Sequence, residues 1–154
     1  GIPFKGFIDR VDSDQMGNYS VIDYKSSAAQ AKNYKTWIDN GSLQLAFYME
    51  AVEKGLTDLI PEEVLGAFYY VAKGYDRSKG MVVKDKIQGM FPVEGRGYNH
   101  IDSESKNLFF KDIHATVKES IGKMQAGNFP PEPKKMEDCQ RCHWSRVCRA
   151  PHLN

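Results

Sequence analysis

The 154 residues contain no cysteine before Cys139, almost no net charge, and no apolar run near the roughly 20 residues that span a bilayer. Each absence removes a class of protein. Three cysteines gathered at one end do not lay out a secreted disulfide framework. They read as ligands or free thiols in a reducing, cytoplasmic compartment. There is no basic-then-apolar leader, so nothing marks the chain for secretion, and no membrane partner is expected. A formal net charge of +1 gives little long-range pull on nucleic acid and leaves local patches to make any phosphate contacts. The chain opens on Gly rather than Met, almost inside a strand-like segment, and is read as one domain of a longer polypeptide. Its length suffices for a single core.

What is present is organised around Val21-Ile22-Asp23-Tyr24-Lys25. Val, Ile and Tyr favour strands, and side chains alternate along a strand with period two. Asp23 and Lys25 therefore share a side, although burying charge is costly unless it is paired or bound to a metal. Phe4 to Asp12 is also strand-like, and Ser13 to Asn18 is a turn-rich link between the two. If the hairpin folds near Met16, Asp9 lies opposite Asp23. Directly opposed Cβ atoms stand about 4.5–5.5 Å apart, a separation at which two carboxylates repel unless a cation lies between them. The pattern points to a divalent-metal site with a lysine beside it. The bland alternative is an ordinary surface ion pair between Asp23 and Lys25.

Further along, Ser26 to Asn40 reads as a loop with a helical turn around Tyr34 to Trp37. Leu43 to Lys54 reads as a helix, with Ser42 able to cap it and Gly55 placed where helices stop. Gln44 and Tyr48, four apart, share one face. Spacing alone leaves open whether they are core residues or site residues. Val64 to Val71 is a nearly continuous apolar run, as expected of an interior strand covered on both faces. Met81 to Ile87 reads as a further strand at the sheet edge, and Gly89 to His100 as a loop in which Arg96 could meet phosphate. A long helix is expected from Asp102-Ser103 to about Ala126, with Phe109, Ile113, Val117, Ile121 and Met124 as its apolar stripe. His114 beside that stripe reads as a boundary histidine rather than a ligand.

After the extended linker Phe129 to Pro133 come Cys139, Cys142 and Cys148, a CxxC with a third cysteine six residues on. Three thiolates complete neither a tetrahedral zinc site nor a four-cysteine cluster, and His143 is an awkward fourth ligand because it adjoins Cys142. Lys134, Lys135, Arg141, Arg146 and Arg149 make this end locally positive, an edge expected to face DNA.

Three segments taken in order, Gly6-Phe7-Ile8-Asp9-Arg10-Val11-Asp12, Asp23-Tyr24-Lys25-Ser26 and Gln44-Leu45-Ala46-Phe47-Tyr48, resemble the PD-(D/E)XK nuclease superfamily, specifically its RecB-like branch. The terminal cysteines make the chain similar to AddB-type nuclease domains. The resemblance implies an α/β fold of restriction-endonuclease-like type, a mixed central sheet of about four strands flanked by helices. Residues 1–133 would be the nuclease core, lacking the helix that usually precedes it, and 134–154 a tail that helps staple the same domain.

The implied activity is Mg²⁺- or Mn²⁺-dependent deoxyribonuclease, the exonuclease part of a helicase–nuclease in double-strand-break repair, with helicase domains as partners and DNA as substrate. Asp9 and Asp23 would be metal ligands with the Tyr24 carbonyl as third oxygen, and Lys25 would ready the attacking water. Gln44 and Tyr48 would support the hairpin or touch a phosphate. Asp12 would lie off the centre and pair with Arg10 or a base. Cys139, Cys142 and Cys148 would hold a [4Fe–4S] cluster with a fourth cysteine from upstream, a cluster not expected intact in these residues alone. The competing readings are an inactive nucleic-acid-binding or scaffold module with a cysteine knuckle, and a zinc-binding interaction domain.

Overall fold

The computed structural model describes residues 3–59, 63–76, 79–84, 99–131, 133, 136–145 and 147–148. Strand β1 (Arg10–Ser13) turns back into β2 (Asn18–Lys25) as an antiparallel hairpin. The register pairs Arg10 with Ile22 and Ser13 with Tyr19, so the fold point is Met16. Asp14 builds the turn: its carboxylate accepts from the N–H groups of Met16 (2.8 Å) and Asn18 (2.9 Å) and from the Asn18 amide. Those bonds, led by the Asn18 side chain, hold the Asp14 carboxyl below its ordinary range.

The chain then crosses over through a 3-10 turn (Tyr34–Thr36), α1 (Trp37–Asn40) and α2 (Gln44–Glu53) to β3 (Glu63–Val71), which lies parallel to β2. Strand β4 (Gly80–Val83) pairs antiparallel with β3, and β5 (His100–Ile101) parallel with β4. The strands stand in the order β1-β2-β3-β4-β5, a mixed five-stranded sheet flanked by helices. The sheet thus gains a two-residue fifth strand, too short to show an alternating pattern, so β5 and not β4 stands at the edge; 85–87 of the expected strand lie outside the described residues.

At one point the β2–β3 register shifts. Tyr19 pairs with Val64 but Ser20 with Gly66, which leaves Leu65 as an extra residue. Because side chains alternate with period two, one extra residue exchanges the faces of everything after it. The shift brings Tyr69 beside Asp23 and Phe68 beside Ile22.

Helix α2 packs its buried Leu45, Ala46, Met49 and Val52 against β2 and β3. Burial of each larger apolar side chain contributes about 1.5–3 kcal/mol before entropy is counted. Trp37, fully buried, meets Tyr69 edge-on and Phe109 at a tilt, and its indole N–H donates to the Lys32 carbonyl at 3.0 Å. Ile22, Leu65, Phe68 and Val82 form a second buried cluster, with Tyr70 against it.

The helix ends differ in part from expectation. Ser42 does not cap α2; Leu43 occupies that position, with no side-chain cap. At the other end Gly55, with φ of +62°, donates to the Val52 carbonyl, and Leu56 donates to that of Ala51. That is the glycine stop the sequence suggests.

Helix α3 (Ser103–Gln125) is capped by Asp102, whose carboxylate accepts from the Ser105 N–H (2.8 Å) and hydroxyl (2.9 Å). Of the expected apolar stripe, Ile113 is buried and Phe109, Val117 and Ile121 are only half-buried, while Met124 is exposed; Phe110 is buried in addition. His114 pairs with Glu50 at 2.7 Å, and Lys106 with Glu53, tying α3 to α2. Burial pushes the Glu50 carboxyl up, but Lys54 and His114 outweigh it and hold it below the usual range.

The chain divides into two compact units, Gly1–Ala115 and Thr116–Asn154. The first holds the sheet. The second holds the last turns of α3, α4 (Met136–Gln140) and the cysteines. Among the described residues, no helix is long and apolar enough to cross a membrane.

Candidate metal centre

Strand β2 passes through the sheet interior, and Asp23 is only 2 % exposed. Lys25, two residues on and on the same face, brings Nζ to 2.6 Å from Asp23 Oδ2. The contact lacks hydrogen-bond geometry, so this buried oxygen has an ionic neighbour but no hydrogen bond among the described residues. A buried carboxylate oxygen with an ion pair but no hydrogen bond keeps acceptor capacity that a cation could use.

Asp9 stands in the bend just before β1. The paired register ends at Arg10 and Ile22, so Asp9 precedes the ladder rather than standing in it, which corrects the reading of Phe4 to Asp12 as strand. Asp9 Oδ2 accepts from the Tyr24 N–H at 2.9 Å, which fixes the carboxylate at the end of the ladder, beside the residue between Asp23 and Lys25. In a strand the N–H and C=O of one residue point the same way. The Lys25 carbonyl is taken by the Ala72 N–H on the β3 side, so the Tyr24 carbonyl is directed toward β1, as its N–H is.

The Asp9 carboxylate and the Tyr24 carbonyl thus lie on the β1 side of β2, next in sequence to the buried Asp23. These are hard oxygen donors, one of them buried without a hydrogen bond, and they fit Mg²⁺ or Mn²⁺ with water completing the shell. Among the described residues, no group of three or more His, Cys, Asp or Glu side chains gathers to hold a metal, so water and backbone would supply the remaining ligands.

Sequence reasoning missed Tyr69. Its buried ring lies 5.5 Å from Lys25 Nζ, so the ammonium is held between a carboxylate and an aromatic face. Burial, and then the Asp23 charge, push the Tyr69 hydroxyl up to about 12. No signal in Ala67-Phe68-Tyr69-Tyr70-Val71 distinguishes one tyrosine from its neighbour, because the extra Leu65 decides which one faces Asp23.

Tyr48 anchors the segment that leads into Asp9. Its hydroxyl accepts from the Phe7 N–H at 3.1 Å and from Gln44 Nε2 at 3.0 Å. Gly6 lies so close to the Tyr48 ring that a Cβ there would stand 2.6 Å from Cε1. The glycine of the GxxD motif therefore makes room for the tyrosine of the QxxxY motif. Arg10 and Asp12 point away from the centre and pair with each other, at 2.6 and 2.9 Å, with Arg10 Nη1 also 3.2 Å from the Tyr24 hydroxyl. Hydrogen bonds from Arg10 to Asp12 and then Tyr24 raise its pKa further and keep it charged.

The three cysteines lie apart from this centre along the chain. Cys139 is buried, Cys142 exposed and Cys148 half-buried. The Trp144 N–H donates to Cys142 Sγ at 3.4 Å. Burial pushes the Cys139 thiol up, and the neighbouring Cys142, Cys148 and Asp138 charges add to this. Three thiols are one short of a [4Fe–4S] set, and as placed they do not gather into a ligand group. By themselves they do not fit a cluster. Arg96, Lys134, Lys135, Arg146 and Arg149 lie outside the described residues.

The family model described as PD-(D/E)XK nuclease superfamily matches residues 1–149. No curated protein and no solved structure matches the chain.

Proposed function

The chain belongs to the PD-(D/E)XK nuclease superfamily, and we propose that it is a divalent-metal-dependent deoxyribonuclease centred on Asp9, Asp23 and Lys25. The observation that carries this reading is the buried Asp23 oxygen without a hydrogen bond, ion-paired with Lys25, with Asp9 bonded to the N–H of the intervening Tyr24. When bound, a divalent ion supplies Lewis acidity and makes water a better nucleophile at neutral pH. Asp9 and Asp23 would provide the negative charge that holds it, and the Tyr24 carbonyl the third protein oxygen. Lys25 aims its N–H groups at the attacking water or at the charge that grows on the phosphate. Tyr69 keeps the ammonium there, since the ring face attracts a cation and the buried strand fixes the ring.

Gln44 and Tyr48 act from behind the site, by fixing the backbone that delivers Asp9. Tyr48→Phe keeps the ring and removes the hydroxyl, so the expected loss of stability is only about 0.5–1.5 kcal/mol. Cleavage is expected to fall further than that, about tenfold or more, because a small misplacement of a metal-holding acid is costly in rate. Thermal melts compared with initial cleavage rates check the split; equal small losses in both would assign Tyr48 to the core alone.

The finer reading is an exonuclease working within a helicase–nuclease, with residues 134–154 as a stapling tail. Its support is the order of the GxxDRxD, DYKS and QxxxY segments and the terminal cysteines. The test is direct. The purified protein is given linear and covalently closed DNA with Mg²⁺, Mn²⁺ or EDTA. Metal-dependent shortening of linear strands from their ends is expected, with closed circles left intact. Binding of DNA without cleavage in either metal would favour the inactive-module reading.

A further inference from the structure

We propose that Phe7, with Lys5 beside it, is a stacking surface for a base of the strand being cut, and that it biases the site toward single-stranded or frayed DNA. The inference rests on the nuclease reading above. Phe7 is 77 % exposed. Most lone apolar side chains on a surface need no explanation. Three observations set this one apart.

The first is rigidity. The Phe7 N–H is bound to the Tyr48 hydroxyl, Gly6 is pressed on the Tyr48 ring, and Phe4 stacks on Phe47 of α2 at 5.1 Å and 24°. The backbone is pinned at both ends of this short run while the Phe7 ring is left in water. The second is charge. Lys5 Nζ lies 5.7 Å from the centre of the Phe7 ring, so an aromatic face and a phosphate-seeking cation are presented together. The third is place. Phe7 is two residues from Asp9, and two residues of chain span at most about 7 Å. A base resting on that ring therefore belongs to a nucleotide near the scissile phosphate, within the reach of a few nucleotides.

The faces of bases are hidden inside a duplex and free in a single strand. Stacking on an aromatic side chain tolerates any sequence, because every base has a π face. A ring fixed beside the acids would hold the strand in register for cutting without reading it, and would gain nothing from an intact duplex.

The test uses the purified protein in EDTA, where binding is read without cleavage. Labelled oligothymidine and a blunt duplex are titrated against the parent, Phe7→Ala and Phe7→Trp proteins, with fluorescence anisotropy as the readout. Phe7→Ala is expected to weaken oligothymidine binding roughly 5- to 100-fold and leave duplex binding unchanged. Phe7→Trp is expected to bind as the parent does, with indole emission quenched on addition of oligothymidine. Unchanged oligothymidine binding in Phe7→Ala, or an equal loss on both DNAs, overturns the proposal. So does a change of oligomeric mass in Phe7→Ala, since the ring would then be covering a second copy of the chain. Cleavage assays with Mg²⁺ on the same preparations separate the two readings. An uncleaved substrate with the Phe7→Ala binding loss intact removes the nuclease and keeps the stacking surface; normal cleavage with unchanged binding does the reverse.

Discussion

Asp23→Asn is expected to reduce metal-dependent DNA cleavage by about 10³-fold or more, while leaving the protein as stable as before or more so. The two halves of this expectation have one cause. Asp23 is almost fully buried, and an ion taken from water costs several kcal/mol unless its partners are good. Here they are incomplete, since Oδ2 faces Lys25 without a hydrogen bond. Asparagine has the same shape, carries no charge and removes that cost. Lys25 then loses its carboxylate, but its side chain is partly exposed and can return to water. Such a residue lowers stability for the sake of chemistry, a familiar trade at working sites. Melting curves and cleavage rates on one preparation check this. A large loss of stability with cleavage intact would make Asp23 an ordinary structural ion-pair partner.

Lys25→Met is expected to do the opposite to the fold. Removing the ammonium strands a buried carboxylate, and breaking a buried pair from one side destabilises by about 3 kcal/mol or more. The loss is expected in metal-free buffer and should shrink as Mg²⁺ or Mn²⁺ is added. A ligand that binds only the folded state at 100 times its Kd adds about 2.7 kcal/mol. The double variant Asp23→Asn with Lys25→Met should recover most of the stability, because neither charge is then left alone. A double-mutant cycle measures that coupling directly. Cleavage by Lys25→Met is expected to fall about 10²- to 10³-fold even when metal restores the fold. If metal fails to rescue its melting temperature, the cation does not share Asp23.

The hairpin was legible because its information is local. A turn near Met16 follows from the turn-rich link Ser13 to Asn18, and the structure folds the chain at that residue, though the ladder ends at Arg10 and Ile22, one residue short of Asp9 and Asp23. The α2 and α3 boundaries were legible for the same reason, through Gly55 and Asp102.

What escaped depends on contacts between distant segments. The extra Leu65 exchanges the faces of β3, and no pattern within the apolar run from Val64 to Val71 announces it, so Tyr69 could not be named as the residue beside Lys25. Phe109 to Met124 has the period of a fully buried stripe, yet burial is complete only at Ile113. Periodicity tells which side chains share a face; it does not tell how far along the helix that face is covered. Ser42 is a good capping residue by type, but the helix begins one residue later. The Gly6 and Tyr48 pair was half visible: both belong to motifs, but only their close approach explains why the motif needs a glycine there.

The most direct test of the central claim is a Mn²⁺ titration of the parent, Asp9→Asn, Asp23→Asn and Lys25→Met proteins, followed by calorimetry or electron paramagnetic resonance. If the two acids share one ion, the parent binds Mn²⁺ at this site, Lys25→Met keeps it, and each acid variant alone loses it. Mn²⁺ bound by Asp9→Asn or Asp23→Asn as well as by the parent would contradict the account.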